Sequence, residues 1–117
     1  MATTTMDETV LDKLVRTLAQ ALRPERIVLF GRVARGDADA HSDIDLFVQV
    51  PAGTDTGEAA RKGYAAIGPL YATLNRGVDI VVRDRAFVER YGDLVGCIVR
   101  SVKREGRVLY ERSRSRR

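Results

Sequence analysis

Hydrophobic positions between residues 10 and 22 recur at helical spacing: Val10, Leu11, Leu14, Val15, Leu18 and Leu22. One face of a 3.6-residue helix would carry them all. Thr5 followed by Glu8 has the pattern of a capping box at its start, and Arg23-Pro24 ends it. Ile27-Val28-Leu29-Phe30 is a continuous apolar run, as in a strand buried on both faces, and Gly31 breaks it. Residues 32–42 are polar, include Gly36, and predict a short helical turn followed by a loop. The next run alternates. Asp43, Asp45 and Phe47 fall on one face of a predicted strand over 43–50, and Ile44, Leu46 and Val48 on the other. Pro51 closes it. After a Gly/Thr/Asp loop at 52–57, residues 58–74 predict a helix weakened by Gly63 and Gly68-Pro69. Asn75-Arg76-Gly77 predicts a turn, and Val78 to Val82 a third strand. Phe87, Tyr91, Leu94, Val95, Ile98, Val99 and Val102 form one helical stripe, stopped at Gly106, and Arg107 to Tyr110 predicts a short edge strand. Strands and helices in this order predict an α/β domain with a small sheet covered by helices.

Composition narrows the classes. A chain of 117 residues fits one domain and leaves no room for a separate substrate domain. With 44% hydrophobic and 31% charged residues it should fold rather than stay disordered. No apolar run approaches the roughly 20 residues of a membrane span, and the Thr-rich, acidic start is unlike a signal peptide. Single residues of each kind, Cys97 and His41, exclude an internal disulfide, a Cys-rich zinc site and a His-pair metal motif, so a cytoplasmic location is expected. Cys97 falls near the last helical stripe and reads as core; His41 reads as a solvated loop residue. The net charge of +4 invites a nucleic-acid reading, but residues 111–117 alone carry +3. The body is nearly neutral. Residues 1–111 are read as the folded domain and 112–117 as a basic tail, through which alone nucleic acid would bind.

The informative charge feature is acidic. Asp37, Asp39, Asp43 and Asp45 crowd one short stretch, and Asp43 and Asp45 point the same way on one strand. Like charges on one face repel, and a cation relieves them. Oxygen ligands without nearby His or Cys suit Mg²⁺ or Mn²⁺. Asp79 sits second in the next strand and joins the pair if the two strands are neighbours. Three such carboxylates can hold two ions for in-line nucleotidyl transfer. The turn at Gly31 offers backbone N–H groups to phosphate. The P-loop pattern Gly-x-x-x-x-Gly-Lys-Ser/Thr is missing, which excludes a P-loop ATPase. Tyr64 and Tyr71, seven apart, could share a helix face, with core packing or an interface as the first reading and base stacking as the second.

Leu29-Phe30-Gly31-Arg32-Val33-Ala34-Arg35-Gly36-Asp37, Ser42-Asp43-Ile44-Asp45-Leu46 and Val78-Asp79-Ile80-Val81 together resemble the minimal nucleotidyltransferases of the polymerase-β superfamily. Their pattern is Gly-Ser, ten residues, Asp-x-Asp, then a third Asp on a later strand; here Gly31-Arg32 precedes Asp43-Ile44-Asp45 at that spacing. The segment Lys103 to Glu111 is also similar to the end of such proteins, so the resemblance spans roughly residues 8 to 111. It implies a small mixed sheet flanked by helices. It implies that Asp43, Asp45 and Asp79 bind Mg²⁺, with ATP as substrate, and that Gly31 and the Arg32 N–H hold the nucleotide phosphates. Arg32 stands where the family has Ser. Its guanidinium could pair with the triphosphate, or fold onto Asp43 or Asp45 and disable the site. Arg35 is a second phosphate candidate or a partner of Asp37 or Asp39. Minimal members commonly pair with a small helical HEPN-type ribonuclease toxin and neutralise it by transferring AMP from ATP to one of its tyrosines. The resemblance therefore implies an antitoxin that adenylylates its partner, or alternatively one that neutralises by binding alone; a homo- or hetero-oligomer is compatible with either.

Overall fold

The structure, a computed structural model, describes residues 8–36, 42–74, 76–92 and 98–112, without the side chains of Ile98 and Ser101. Thr5, Asp37, Asp39, His41, Asn75, Leu94, Val95 and Cys97 lie outside the described residues, as does most of the tail.

The predicted first helix is α1 (Glu8–Leu22), which buries Leu11, Leu14, Val15 and Leu18. Arg23 ends it in a left-handed conformation, φ 49°, with its N–H on the Ala19 carbonyl at 3.0 Å. Pro24, with no N–H to donate, prevents continuation. Strand β1 (Arg26–Phe30) follows, then the five-residue helix α2 (Gly31–Arg35), then β2 (Ile44–Val50). Helix α3 (Thr56–Ile67) is capped by Asp55, whose carboxylate accepts from the Glu58 N–H at 3.1 Å. The predicted 58–74 helix does not run through. Gly68-Pro69 turns it into a 3₁₀ segment, Gly68–Leu70, before α4 (Tyr71–Leu74). Strand β3 (Val78–Asp84) comes next.

The stripe from Phe87 to Val102, read as one helix, is two: α5 (Arg85–Tyr91) and α6 (Ile98–Glu105). Asp84 caps α5 through the Phe87 N–H at 2.9 Å. The chain closes with β4 (Arg107–Glu111), an edge strand as expected. Arg112, the first residue of the segment read as a tail, still donates its N–H to the Glu25 carbonyl at 2.9 Å.

The four strands form one mixed sheet, ordered β3-β2-β1-β4, with β2 and β3 parallel and the other pairs antiparallel. Alternation sorts its residues cleanly. Ile27, Leu29, Ile44, Leu46, Val48, Val50, Val78, Ile80 and Val82 join α1 and α3 in the main core. Val28 and Phe47 face the other way and pack on Val99 and Val102 of α6. Among the described residues that second layer covers only part of its face. The acidic end of β2 and β3 lies beyond it.

Candidate functional site

Strands β2 and β3, joined through α3 and α4, pair in parallel with an unbroken register. Ile44 pairs with Val78, Asp45 with Asp79 and Leu46 with Ile80. A shift of one residue would place aspartates in the core, so hydrophobic matching on one face fixes the carboxylates on the other. Asp45 and Asp79 are thus nearest neighbours across the strand pair. Asp43 stands just before β2, exposed, as is Asp79, while Asp45 is half-buried.

Across β2, Asp45 pairs with Phe30, the last residue of β1. The next residue, Gly31, begins α2 with φ 77°, a left-handed conformation that favours glycine. A Cβ built on Gly31 would overlap Asp45 Oδ2. Glycine is required there twice, by backbone and by contact, and the strand-to-helix turn sits directly against the carboxylate.

Asp45 is held above the usual carboxylate range. Burial is the main cause; the negative charges of Asp79 and Asp43 add to it, and the Arg35 guanidinium opposes them. The three predicted acidic residues therefore share one field. Arg35 also pairs with Glu105 of α6 at 3.5 Å, a partner 70 residues away that the sequence reading did not find. Arg32 is exposed on α2. The Arg35 charge acts on Asp45.

Among the described residues no group of three carboxylates, histidines or cysteines is already drawn together closely enough to hold an ion. The donor set still fits Mg²⁺ or Mn²⁺. It offers hard oxygens only, with two carboxylates side by side on paired strands, one of them held above the usual carboxylate range by burial and by its acidic neighbours. Among the described residues no helix is long and apolar enough to cross a membrane.

The two tyrosines were read first as core or interface. Both are exposed, at 39% and 38%, and their hydroxyls serve edge strand β3. Tyr64 Oη accepts the Ile80 N–H at 2.8 Å, and Tyr71 accepts the Val78 N–H. These are outward N–H groups on either side of Asp79, and covering them protects the edge. Burial, Tyr64, Asp79 and Asp43 together push the Tyr71 hydroxyl above its ordinary value.

A family model for the nucleotidyltransferase domain matches residues 11–106. No match was found among curated proteins. Several solved structures share the fold. A protein assigned as a minimal nucleotidyltransferase is 33% identical, with 87% of this chain and 95% of that one covered and a TM-score of 0.56. A toxin–antitoxin solved with AMP-PNP is 24% identical over 92% of this chain and 75% of that one, with a TM-score of 0.59. A mutant form of the MntA–HpeT toxin–antitoxin is 25% identical over the same shares, with a TM-score of 0.56. With its Asp-x-Asp strand, the third aspartate in register beside it and the glycine turn against them, the chain belongs to the nucleotidyltransferase domain family, among its minimal nucleotidyltransferases.

Proposed function

We propose that the chain transfers AMP from ATP, with Mg²⁺, to a protein partner, and so acts as the antitoxin of a HEPN-type ribonuclease toxin. The observation that carries the reading is the pairing of Asp45 with Asp79, with Asp43 at the start of the same strand. The partner part is supported by the two similar toxin–antitoxin structures.

Each residue then has a task. Asp43 and Asp45 would hold the ion that meets the nucleotide phosphates, and Asp79 the ion near the acceptor. Metal bound there supplies charge neutralisation at the phosphates and at the attacking oxygen. Asp79, exposed at the strand edge, takes up the proton of the acceptor hydroxyl, whose oxygen bonds to the α-phosphorus of ATP as pyrophosphate leaves. Gly31 and the Arg32 N–H line the β- and γ-phosphates. Arg35, already within the field of Asp45, offers a guanidinium to the same phosphates. Catalysis in this reading is mostly positioning and electrostatics. The pair would work in the cytoplasm, where ATP is available.

The test uses the protein, its genomic neighbour, ATP and Mg²⁺. Intact mass spectrometry should show the neighbour gaining the mass of one AMP, and Asp43→Asn should abolish the gain. A stable complex that silences ribonuclease activity without any mass gain would overturn transfer and leave binding alone as the mode of neutralisation.

A further inference from the structure

The turn between α4 and β3 reaches back to the strand that carries the Asp-x-Asp pair. Arg76 Nε donates to the Ser42 carbonyl at 2.8 Å. The Ile44 N–H donates to the Gly77 carbonyl at 2.9 Å. These two bonds fall on either side of Asp43. Ser42 is itself buried. A Cβ built on Gly77 would lie 2.6 Å from Asp43 Oδ1 and 3.2 Å from its Cγ. The carboxylate of Asp43 rests in the space that glycine leaves empty.

We propose that Arg76 and Gly77 are positioning residues for Asp43, setting where the first carboxylate stands and hence how tightly the site holds its cation. The inference rests on the proposed metal-dependent activity and adds two residues to it. Its logic parallels Gly31 and Asp45: each member of the Asp-x-Asp pair has a glycine beside it from a neighbouring strand end. The two glycines differ in one useful way. Gly31 has a left-handed backbone, so any substitution there strains the chain; Gly77 does not. At Gly77 a methyl group meets only the far end of a flexible side chain. The fold accommodates it by letting Asp43 turn aside. Gly77→Ala therefore displaces the carboxylate without breaking the strand.

Neighbours that orient a metal ligand typically change metal affinity or activity by about 10–100-fold. The test is Mn²⁺ binding by the nucleotide-free protein, followed by electron paramagnetic resonance, beside the unfolding midpoint without metal. Gly77→Ala should weaken Mn²⁺ binding about tenfold or more while the metal-free midpoint stays with wild type. Arg76→Ala should weaken it in the same direction, and Arg76→Lys should recover little, because a lysine lacks the planar Nε–H donor. Gly68→Ala, with nothing within 4 Å of the added methyl, is the control and should change neither reading. Wild-type Mn²⁺ affinity in both Gly77→Ala and Arg76→Ala would overturn the proposal while leaving the transfer activity standing. Wild type that binds no Mn²⁺ would overturn the metal-dependent reading and this proposal together. Should Gly77→Ala fail to fold, Arg76→Ala decides alone.

Discussion

The two faces of strands β2 and β3 do different work from the same residues' alternation. On one face Ile44, Leu46, Val48 and Val50 continue into Val78, Ile80 and Val82 without a polar break, sealed by α1 and α3. On the other, Asp45 and Asp79 sit side by side, and Phe47 and Val81 further along meet α5 and α6. The sealed face gains free energy from every residue it buries. The open face spends some of it, since Asp45 is raised by burial and by two like charges. Odd and even positions one residue apart should therefore respond to substitution in opposite directions.

The largest effect belongs to the sealed face. Leu46, fully buried, should cost about 2–5 kcal/mol on mutation to Ala, read by urea unfolding. Next comes the cap that starts α3, the helix covering that face: Asp55→Ala should cost about 0.5–2 kcal/mol. One residue from Leu46, Asp45→Asn should raise metal-free stability by about 0.2–1 kcal/mol by removing like-charge repulsion, while abolishing transfer. Smallest is Arg61→Ala. Its ion pair with Glu58 lies on the outer side of α3, and the loss should stay below about 0.5 kcal/mol. Equal losses at Leu46 and Asp45 would break the contrast between the faces.

Acid titration sharpens it further. Asp45 in the folded protein lies above its ordinary 3.8, and Asp84 lies below it, because the Phe87 and Gly53 N–H groups bond to its carboxylate. The folded state thus binds the Asp45 proton more tightly than the unfolded chain. That stabilisation is complete below 3.8 and is lost as pH rises through the folded value of Asp45. For Asp84 the order reverses: its stabilisation is present above 3.8 and is lost as pH falls through its lowered value. Unfolding of wild type, Asp45→Asn and Asp84→Asn across about pH 3–7 should show each variant removing its own slope.

What could be read from the sequence was what alternation and local breaks encode. The β2 pattern placed the aspartates and aliphatics on opposite faces, Gly31 ended β1, and β4 sat at the edge. What could not be read depends on contacts between distant segments. Arg35 meets Glu105, and Asp43 rests on Gly77, through no local signal. Tyr64 and Tyr71 have the spacing of a core face, yet they cap an edge strand that only the sheet order defines. The last stripe kept helical periodicity from Phe87 to Val102 although the chain builds two helices, α5 and α6, from it. Pro69 gave fair warning of the other interrupted helix.

The central claim is that the carboxylates which weaken the bare fold form a cation site, which the nucleotide then shares. Thermal unfolding of wild type and Asp45→Asn, each with and without Mg²⁺ and ATP, tests it directly. The expected result is a crossover: the variant unfolds at a higher temperature than wild type without ligands and at a lower one with them. Parallel shifts in both proteins, or none in wild type, would contradict the claim.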